Sequence, residues 1–204
     1  MFTQVYIFVL LALSPCLISG NDIIPHYYTP SKLMSNSSIT IPYDYPLFVQ
    51  CDSAWGSHYM GTKTICQVGC LMSSTAMGIA GVDISIESSS STPDTLNTWL
   101  KANGGYDNND LIESVVPNID PTRISWPVDA MHRTNDLSYE TVKQYIQAGR
   151  IVVGNVMNGG HFVLLTGYSD DGDTFAVNDP GFDTYYYSYS KDIVGYRIYD
   201  MIRK

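Results

Sequence analysis

Gly159-Gly160-His161-Phe162-Val163-Leu164-Leu165-Thr166-Gly167-Tyr168 is the stretch on which the fold turns. Two glycines break the chain, and a histidine then opens a run of apolar and β-forming residues too short for a helix. Ile151-Val152-Val153-Gly154-Asn155-Val156 precedes it and Thr174-Phe175-Ala176-Val177 follows, with Gly and Asp clusters between. The three runs predict an antiparallel meander, to which the tyrosines from Tyr185 to Tyr189 and the segment Gly195-Tyr196-Arg197-Ile198-Tyr199 add strands.

The register of the central hairpin follows from its loop. Asp170-Asp171-Gly172 fits a three-residue loop whose last member takes positive φ, which pairs Ser169 with Asp173. Counting outward, Asp179 falls opposite Val163, on the face of His161 and two positions along, about 7 to 8 Å away between backbones. A carboxylate and an imidazole bridge that distance. A two-residue turn would put Asp179 opposite Leu164 and on the other face. Asn178-Asp179-Pro180-Gly181 is also an ordinary turn sequence, and Asp179 needs no further role to be explained.

Upstream, the pattern becomes helical. From Gly69-Cys70 the chain continues through Leu71 to Ala80, with Met72, Ala76, Ile79 and Ala80 on one face and Cys70 in the first turn. Unpaired N–H groups and the positive end of the helix dipole favour an anion there, such as a thiolate or a developing oxyanion. Gly69 allows close backbone approach. Ser73, Ser74 and Thr75 are weak helix formers, so packing must hold this helix. A second helix has Thr92 as cap, Pro93 at its first position, Leu96, Trp99 and Leu100 inward and Gly104 beyond its end. A third runs from Ser138 to Gly149 with Val142, Tyr145 and Ile146 inward. Tyr106 to Asn135, with Pro117, Pro121 and Pro127, reads as an irregular excursion holding at most a short strand near Arg123 to Trp126. His132 within it reads as an ordinary surface residue. His26 and His58 read as surface or groove residues, and Trp55, Trp99 and Trp126 as packing.

The chain has 204 residues, with Lys+Arg 11 against Asp+Glu 20 and a net charge of −9. That balance repels duplex nucleic acid and anionic membrane surfaces. Residues 1–20 read as a signal peptide, because the apolar run Phe2 to Leu13 is too short to span a bilayer and Ile18-Ser19-Gly20 offers a cleavage site. Pro15 argues against lipidation of Cys16. The expected organisation is then an N-terminal arm or short propeptide over 21–44 and one domain over 45–204. The segment Asn21 to Pro42 could be a propeptide, a flexible arm or a strand pairing with the domain. Asn36-Ser37-Ser38 is a glycosylation sequon. A secreted or endolysosomal-lumen protein, monomeric and without membrane attachment after cleavage, is the expectation.

Without Cys16, the mature chain keeps Cys51, Cys66 and Cys70, an odd number in an oxidising compartment. Pairing Cys51 with Cys66 staples a loop worth about 3 kcal/mol in the chain-entropy model and leaves Cys70 free. Cys66 with Cys70 fits less well, since side chains four apart on a helix lie side by side. A free Cys70 is either a nucleophile or a buried structural thiol.

Gln50-Cys51-Asp52-Ser53-Ala54-Trp55, Thr64-Ile65-Cys66-Gln67-Val68-Gly69-Cys70, the Gly159 to Tyr168 run and Val177-Asn178-Asp179-Pro180-Gly181, in that order, resemble the C39-like peptidase family over roughly Tyr45 to Tyr199. The resemblance implies an α+β, papain-like cysteine peptidase fold with N-terminal helices packed on a C-terminal antiparallel sheet. It further implies Cys70 as nucleophile, His161 as base, Asp179 as its orienting partner and Gln50 in the oxyanion hole, acting on peptide or isopeptide amides through a thioester. No cofactor is implied. Cys51 and Cys66 stand outside the family pattern, and the papain run Cys-Gly-Ser-Cys-Trp is absent. Two other functions compete. Cys70, His161 and Asp179 are possible zinc ligands and Asp170, Asp171 and Asp173 an acidic cluster, but no Cys-x-x-Cys or His-x-x-x-His spacing accompanies them, and the aspartates suit a hairpin tip. A secreted binding protein on the same fold, without catalysis, is the other alternative.

Overall fold

A computed structural model describes residues 38–203. The expected signal peptide over residues 1–20, Cys16, His26 and Asn36 lie outside the described residues.

The main sheet has eight strands, numbered here in chain order: β1 (Ile39–Thr40), β2 (Ile124–Ser125), β3 (Met131–His132), β4 (Ile151–Val156), β5 (His161–Ser169), β6 (Thr174–Asn178), β7 (Tyr186–Ser188) and β8 (Gly195–Met201). Its order is β7-β6-β5-β4-β8-β2, with β1 beside β5 and β3 beside β8. Every pairing is antiparallel, and β4, β5 and β6 form the expected meander. The sheet is not purely C-terminal, because β1 comes from the start of the described chain and β2 and β3 from the excursion. Joining this sheet is therefore the fate of Ile39 and Thr40, with Ile39 opposite Ser169 and Thr40 opposite Tyr168.

Four helices accompany the sheet: α1 (Ile65–Val68), α2 (Cys70–Gly81), α3 (Pro93–Ala102) and α4 (Tyr139–Gln147). Their ends follow the local chemistry. The Thr92 hydroxyl accepts from Thr95 N–H and Pro93 sits at the first helical position of α3. The Ser138 hydroxyl accepts from Thr141 N–H at 3.1 Å to start α4, and Gly149 ends it at φ +78°. The α1–α2 junction needs Gly69 for space, since a Cβ there would lie 2.5 Å from the Ile65 carbonyl oxygen. Close approach at Gly69 thus serves the preceding turn.

Alternation along β4 and β5 divides two cores. Ile151, Val153 and Leu164 pack with Met72, Ala76, Met77 and Ile79 of α2 and with Leu96 and Leu100 of α3. Val152, Val163 and Leu165 face Val142 and Ile146 of α4. Covering on both faces explains why these strands are apolar at successive positions. The helices are consequently not all on one side, as α4 shields the face opposite α2. Helix α2 also departs from its one-faced expectation. Met72 to Ile79 are all buried, because the sheet, α3 and the chain around Tyr45 enclose the helix, while Ala80 is only partly covered. Thr75 and Ser74 fit that enclosure by bonding backbone carbonyls, Thr75 to Leu71 at 2.8 Å and Ser74 to Phe162 at 3.3 Å, while the Ser73 hydroxyl is buried without a partner among the described residues.

The excursion holds the short strand expected near Arg123, now β2, and more besides. Tyr106–Asp107 and Asp110–Leu111 make a small hairpin, and Glu113–Ile119 a 3-10 segment. Glu113 is buried against Arg197, whose Nε donates to its carboxylate at 2.5 Å. His132 lies on β3 with its Nδ1 2.8 Å from the Asp136 carboxylate and its side chain 14% exposed, so it is not the surface residue expected. Pairing of β3 with β8 draws it inward.

The β5–β6 hairpin corrects the expected register in two steps that cancel. Phe175 pairs with Tyr168, which continues to Thr174 opposite Ser169 and makes the loop four residues, Asp170 to Asp173, with Gly172 at φ +76°. Asp171 accounts for the extra residue. Its carboxylate accepts from the backbone N–H of Asp173 and Thr174 and from the Thr174 hydroxyl, at 2.7 to 2.9 Å, so Asp173 is drawn into the turn. A bulge at Thr166 then shifts the pairing back, from Ala176 opposite Gly167 to Val177 opposite Leu165. Asn178 faces Leu164, the register expected from the sequence, and Asp179 follows directly.

Candidate functional site

Cys70 is the first residue of α2 and is partly exposed, the free thiol among the described cysteines. The backbone bonds of this helix start with Ser73 N–H to Gly69 O at 2.8 Å, so the N–H groups of Cys70, Leu71 and Met72 precede the ladder. His161 is the first residue of β5 and is 5% exposed. It enters the strand from a 3-10 turn over Met157–Gly159, in which Met157, Asn158 and Gly159 have φ of +53°, +54° and +92°. Two non-glycine residues in the left-handed region next to a buried histidine are the sort of local strain that the surrounding structure must hold in place.

Asp179 follows the last residue of β6, with its side chain fully buried, and lies 2.7 Å from His161 Nε2. The same oxygen, Oδ1, accepts from the backbone N–H of Gly181 at 2.8 Å and Phe182 at 3.0 Å. Turn residue and histidine partner are thus one carboxylate, and both sequence interpretations of Asp179 hold. Its other oxygen, Oδ2, accepts from the Tyr187 hydroxyl at 2.9 Å.

The Cys70 side chain also acts on the His161 ring, in the same direction as Asp179. Burial of the ring, the largest single influence on its titration, favours the neutral form. Hydrogen bonds and negative charge from Asp179 and Cys70 outweigh it and raise the imidazole from 6.5 to about 9. The structure therefore pairs His161 with Asp179, as the hairpin register led us to expect.

Gln50 is delivered by a segment clamped to the end of β6. Asn178 Nδ2 donates to the carbonyls of Tyr45 and Pro46 at 3.0 and 3.1 Å, and Gln50 N–H to Pro180 O at 2.8 Å. The buried Gln50 side chain donates from Nε2 to Cys66 O at 2.8 Å, four residues before Cys70. Its Oε1 is buried without a partner among the described residues. The neighbouring residue, Cys51, forms a disulfide with Cys66, and their separation of 15 positions is the loop anticipated from the sequence. Gln67, closer to Cys70 in sequence, is exposed and caps α1 by accepting from Thr64 N–H at 2.9 Å.

Three site residues were not singled out from sequence. Gly181 packs so tightly that a Cβ would stand 2.9 Å from His161 Cε1 and 3.5 Å from Gln50 Oε1. Phe182 sets its ring edge-on to the imidazole, centroids 5.0 Å apart, with 53% of the residue exposed. Tyr187 supports Asp179 from β7. Alternation alone would have placed Tyr185, Tyr187 and Tyr189 on one face; choosing Tyr187 requires the pairing of Phe175 with Tyr187. His58 instead pairs with Asp94 at 2.6 Å on the surface. Among the described residues no group of three or more His, Cys, Asp or Glu side chains is arranged to hold a metal, and no helix is long and apolar enough to cross a membrane.

A mixed α+β architecture that sets the start of a helix against the first residue of an antiparallel strand is of the general papain-like kind. Residues 42–203 match the Peptidase_C39 like family, and the chain belongs to that family. No curated protein and no solved structure matches it.

Proposed function

We propose that this protein is a secreted thiol hydrolase that cleaves amide bonds of peptides or peptide-like substrates through Cys70, His161 and Asp179. The observation that carries the proposal is the imidazole held by a buried carboxylate at 2.7 Å and raised toward its charged form by that carboxylate together with Cys70, the residue that opens helix α2. A family does not fix a substrate, so the bond type rests on this chemistry alone.

In the proposed cycle, Cys70 thiolate and His161 imidazolium form the resting pair. Sulfur attacks the amide carbonyl, and the resulting oxyanion takes hydrogen bonds from Cys70 N–H and from the second N–H of Gln50 Nε2. His161 gives its proton to the leaving nitrogen as the C–N bond breaks, releasing the amine and leaving a thioester on Cys70. Water then attacks the thioester while His161 takes its proton, and the carboxylic acid leaves as the Cys70 thiolate returns beside the imidazolium. Asp179 holds the ring in one orientation and stabilises its positive form throughout. Removal of residues 1–20 on secretion, modification of Asn36 and action as a monomer complete the proposal; the Cys51–Cys66 disulfide supports an oxidising compartment.

The test is a brief pulse of dilute iodoacetamide on unreduced protein across pH 5 to 9, with the alkylated cysteine mapped by mass spectrometry. Rapid labelling of Cys70 alone, slowed by His161→Ala, is expected. An inert Cys70 in folded protein would refute the hydrolase and favour a binding protein on the same fold.

A further inference from the structure

Building on the proposed hydrolase, we infer that the Cys51–Cys66 disulfide is a positioning element for the oxyanion hole. Gln50 has one side-chain hydrogen bond among the described residues, and its acceptor is the carbonyl of Cys66. The same Cys66 is covalently tied to Cys51, the residue that follows Gln50 in the chain. The carboxamide and the disulfide therefore span the same gap between the loop and α1, side by side.

The arrangement also fixes which end of the amide faces which neighbour. A carbonyl oxygen at Cys66 accepts only a donor, so Nε2 must point to it, and the second N–H of Nε2 has no acceptor among the described residues. Oε1 is left against Gly181 without a donor, so it contributes nothing that would hold the side chain if Cys66 moved. Gln50 N–H is held on Pro180 O, and a backbone bond, Cys66 N–H on Gly56 O, also joins α1 to the turn after Cys51, but the disulfide is the covalent link and stands one residue from Gln50. The Cys70–His161–Asp179 chain is built from α2, β5 and the turn after β6, so it stands without the disulfide. Loss of the bond should weaken oxyanion stabilisation and leave the reactivity of the thiol intact.

Two small reagents separate these effects at Cys70. Alkylation by iodoacetamide displaces iodide at carbon and forms no oxyanion. Acetylation by p-nitrophenyl acetate passes through a tetrahedral oxyanion before nitrophenolate leaves. The ratio of acetylation to alkylation rates is measured for wild type, Gln50→Ala, Cys51→Ala/Cys66→Ala and the triple variant. Gln50→Ala should lower the ratio by up to about 10² to 10³, the effect of removing one oxyanion donor. The disulfide-free variant should lower it roughly tenfold, with its alkylation pH profile unmoved. In the Gln50→Ala background, removing the disulfide should add little, because both changes act through one group.

An unchanged ratio without the disulfide, or losses that multiply in the triple variant, would overturn the inference and leave the hydrolase standing. A ratio unmoved by Gln50→Ala would overturn it by removing Gln50 from the oxyanion hole. Failure of iodoacetamide to label Cys70 in wild type would overturn the hydrolase and the inference together. If near-ultraviolet circular dichroism shows the disulfide-free variant unfolded, folded wild type is reduced at 4 °C with a water-soluble phosphine. The phosphine gains an oxygen from water as the disulfide takes up two electrons and two protons, and the ratio is read before unfolding. The same roughly tenfold fall is required there.

Discussion

Replacing Asp179 by asparagine removes one negative charge 2.7 Å from His161 and leaves the volume of the site almost unchanged. In the wild type the imidazole is raised from 6.5 to about 9, a gap worth about 3 kcal/mol at 1.36 kcal/mol per pH unit. Asp179 supplies the largest of the influences that raise the ring against the opposing pull of burial, so its loss should remove much of that gap. The His161 midpoint in Asp179→Asn should therefore drop by about one unit or more. Titration of the His161 ring by NMR reads this directly. Stability must follow. A group whose folded value is raised binds its proton more tightly in the native state, so its contribution is full below pH 6.5 and disappears as pH rises through about 9. The wild type should lose stability over that interval by urea denaturation, and the variant should lose less. A wild-type midpoint near 6.5, or a variant midpoint still near 9, would refute the assignment of Asp179 as the group that stabilises the imidazolium.

Other substitutions move the same site in different directions. Gly181→Ala places a methyl 2.9 Å from His161 Cε1 and should push the ring off Asp179, cutting Cys70 alkylation at neutral pH at least tenfold while the fold survives; alkylation at the wild-type rate would contradict the crowding. Tyr187→Phe leaves Asp179 Oδ2 without its hydroxyl donor in a buried setting and should cost about 1.5 to 3 kcal/mol of stability in urea. Because the carboxylate then has one donor fewer competing for it, the His161 midpoint should stay at or above about 9, opposite in sign to Asp179→Asn. A fall in that midpoint would show that Tyr187 supports the ring by some other route.

The order of elements and the pairing of His161 with Asp179 were legible because each rests on short-range rules. Thr92-Pro93 and Ser138 start helices by capping chemistry, and β-branched runs between glycines make strands. What escaped the sequence depends on contacts between distant segments. Helix α2 was expected to bury one face, yet its polar residues Ser73, Ser74 and Thr75 are enclosed, since enclosure comes from α3, the sheet and the chain near Tyr45. His132 was drawn into the sheet by a pairing of β3 with β8 that no local pattern announces. Tyr187 and Gly181 gained their places at the site from how the last hairpin folds over Asp179, which only the assembled sheet reveals. For Gln50, sequence supplied the residue and structure supplied its anchor on Cys66.

Asp179 meets His161 because a four-residue loop and a bulge at Thr166 displace the pairing in opposite senses. That compensation places the burden on the bulge. If the ladder ran on unbroken from Ala176 opposite Gly167, Val177 would face Thr166 and Asp179 would face Leu164, on the wrong side of the sheet. The exposed tip is free to vary in length while Thr174 stays opposite Ser169, so the reach of a buried carboxylate is set by an irregularity hidden in the strand beside it.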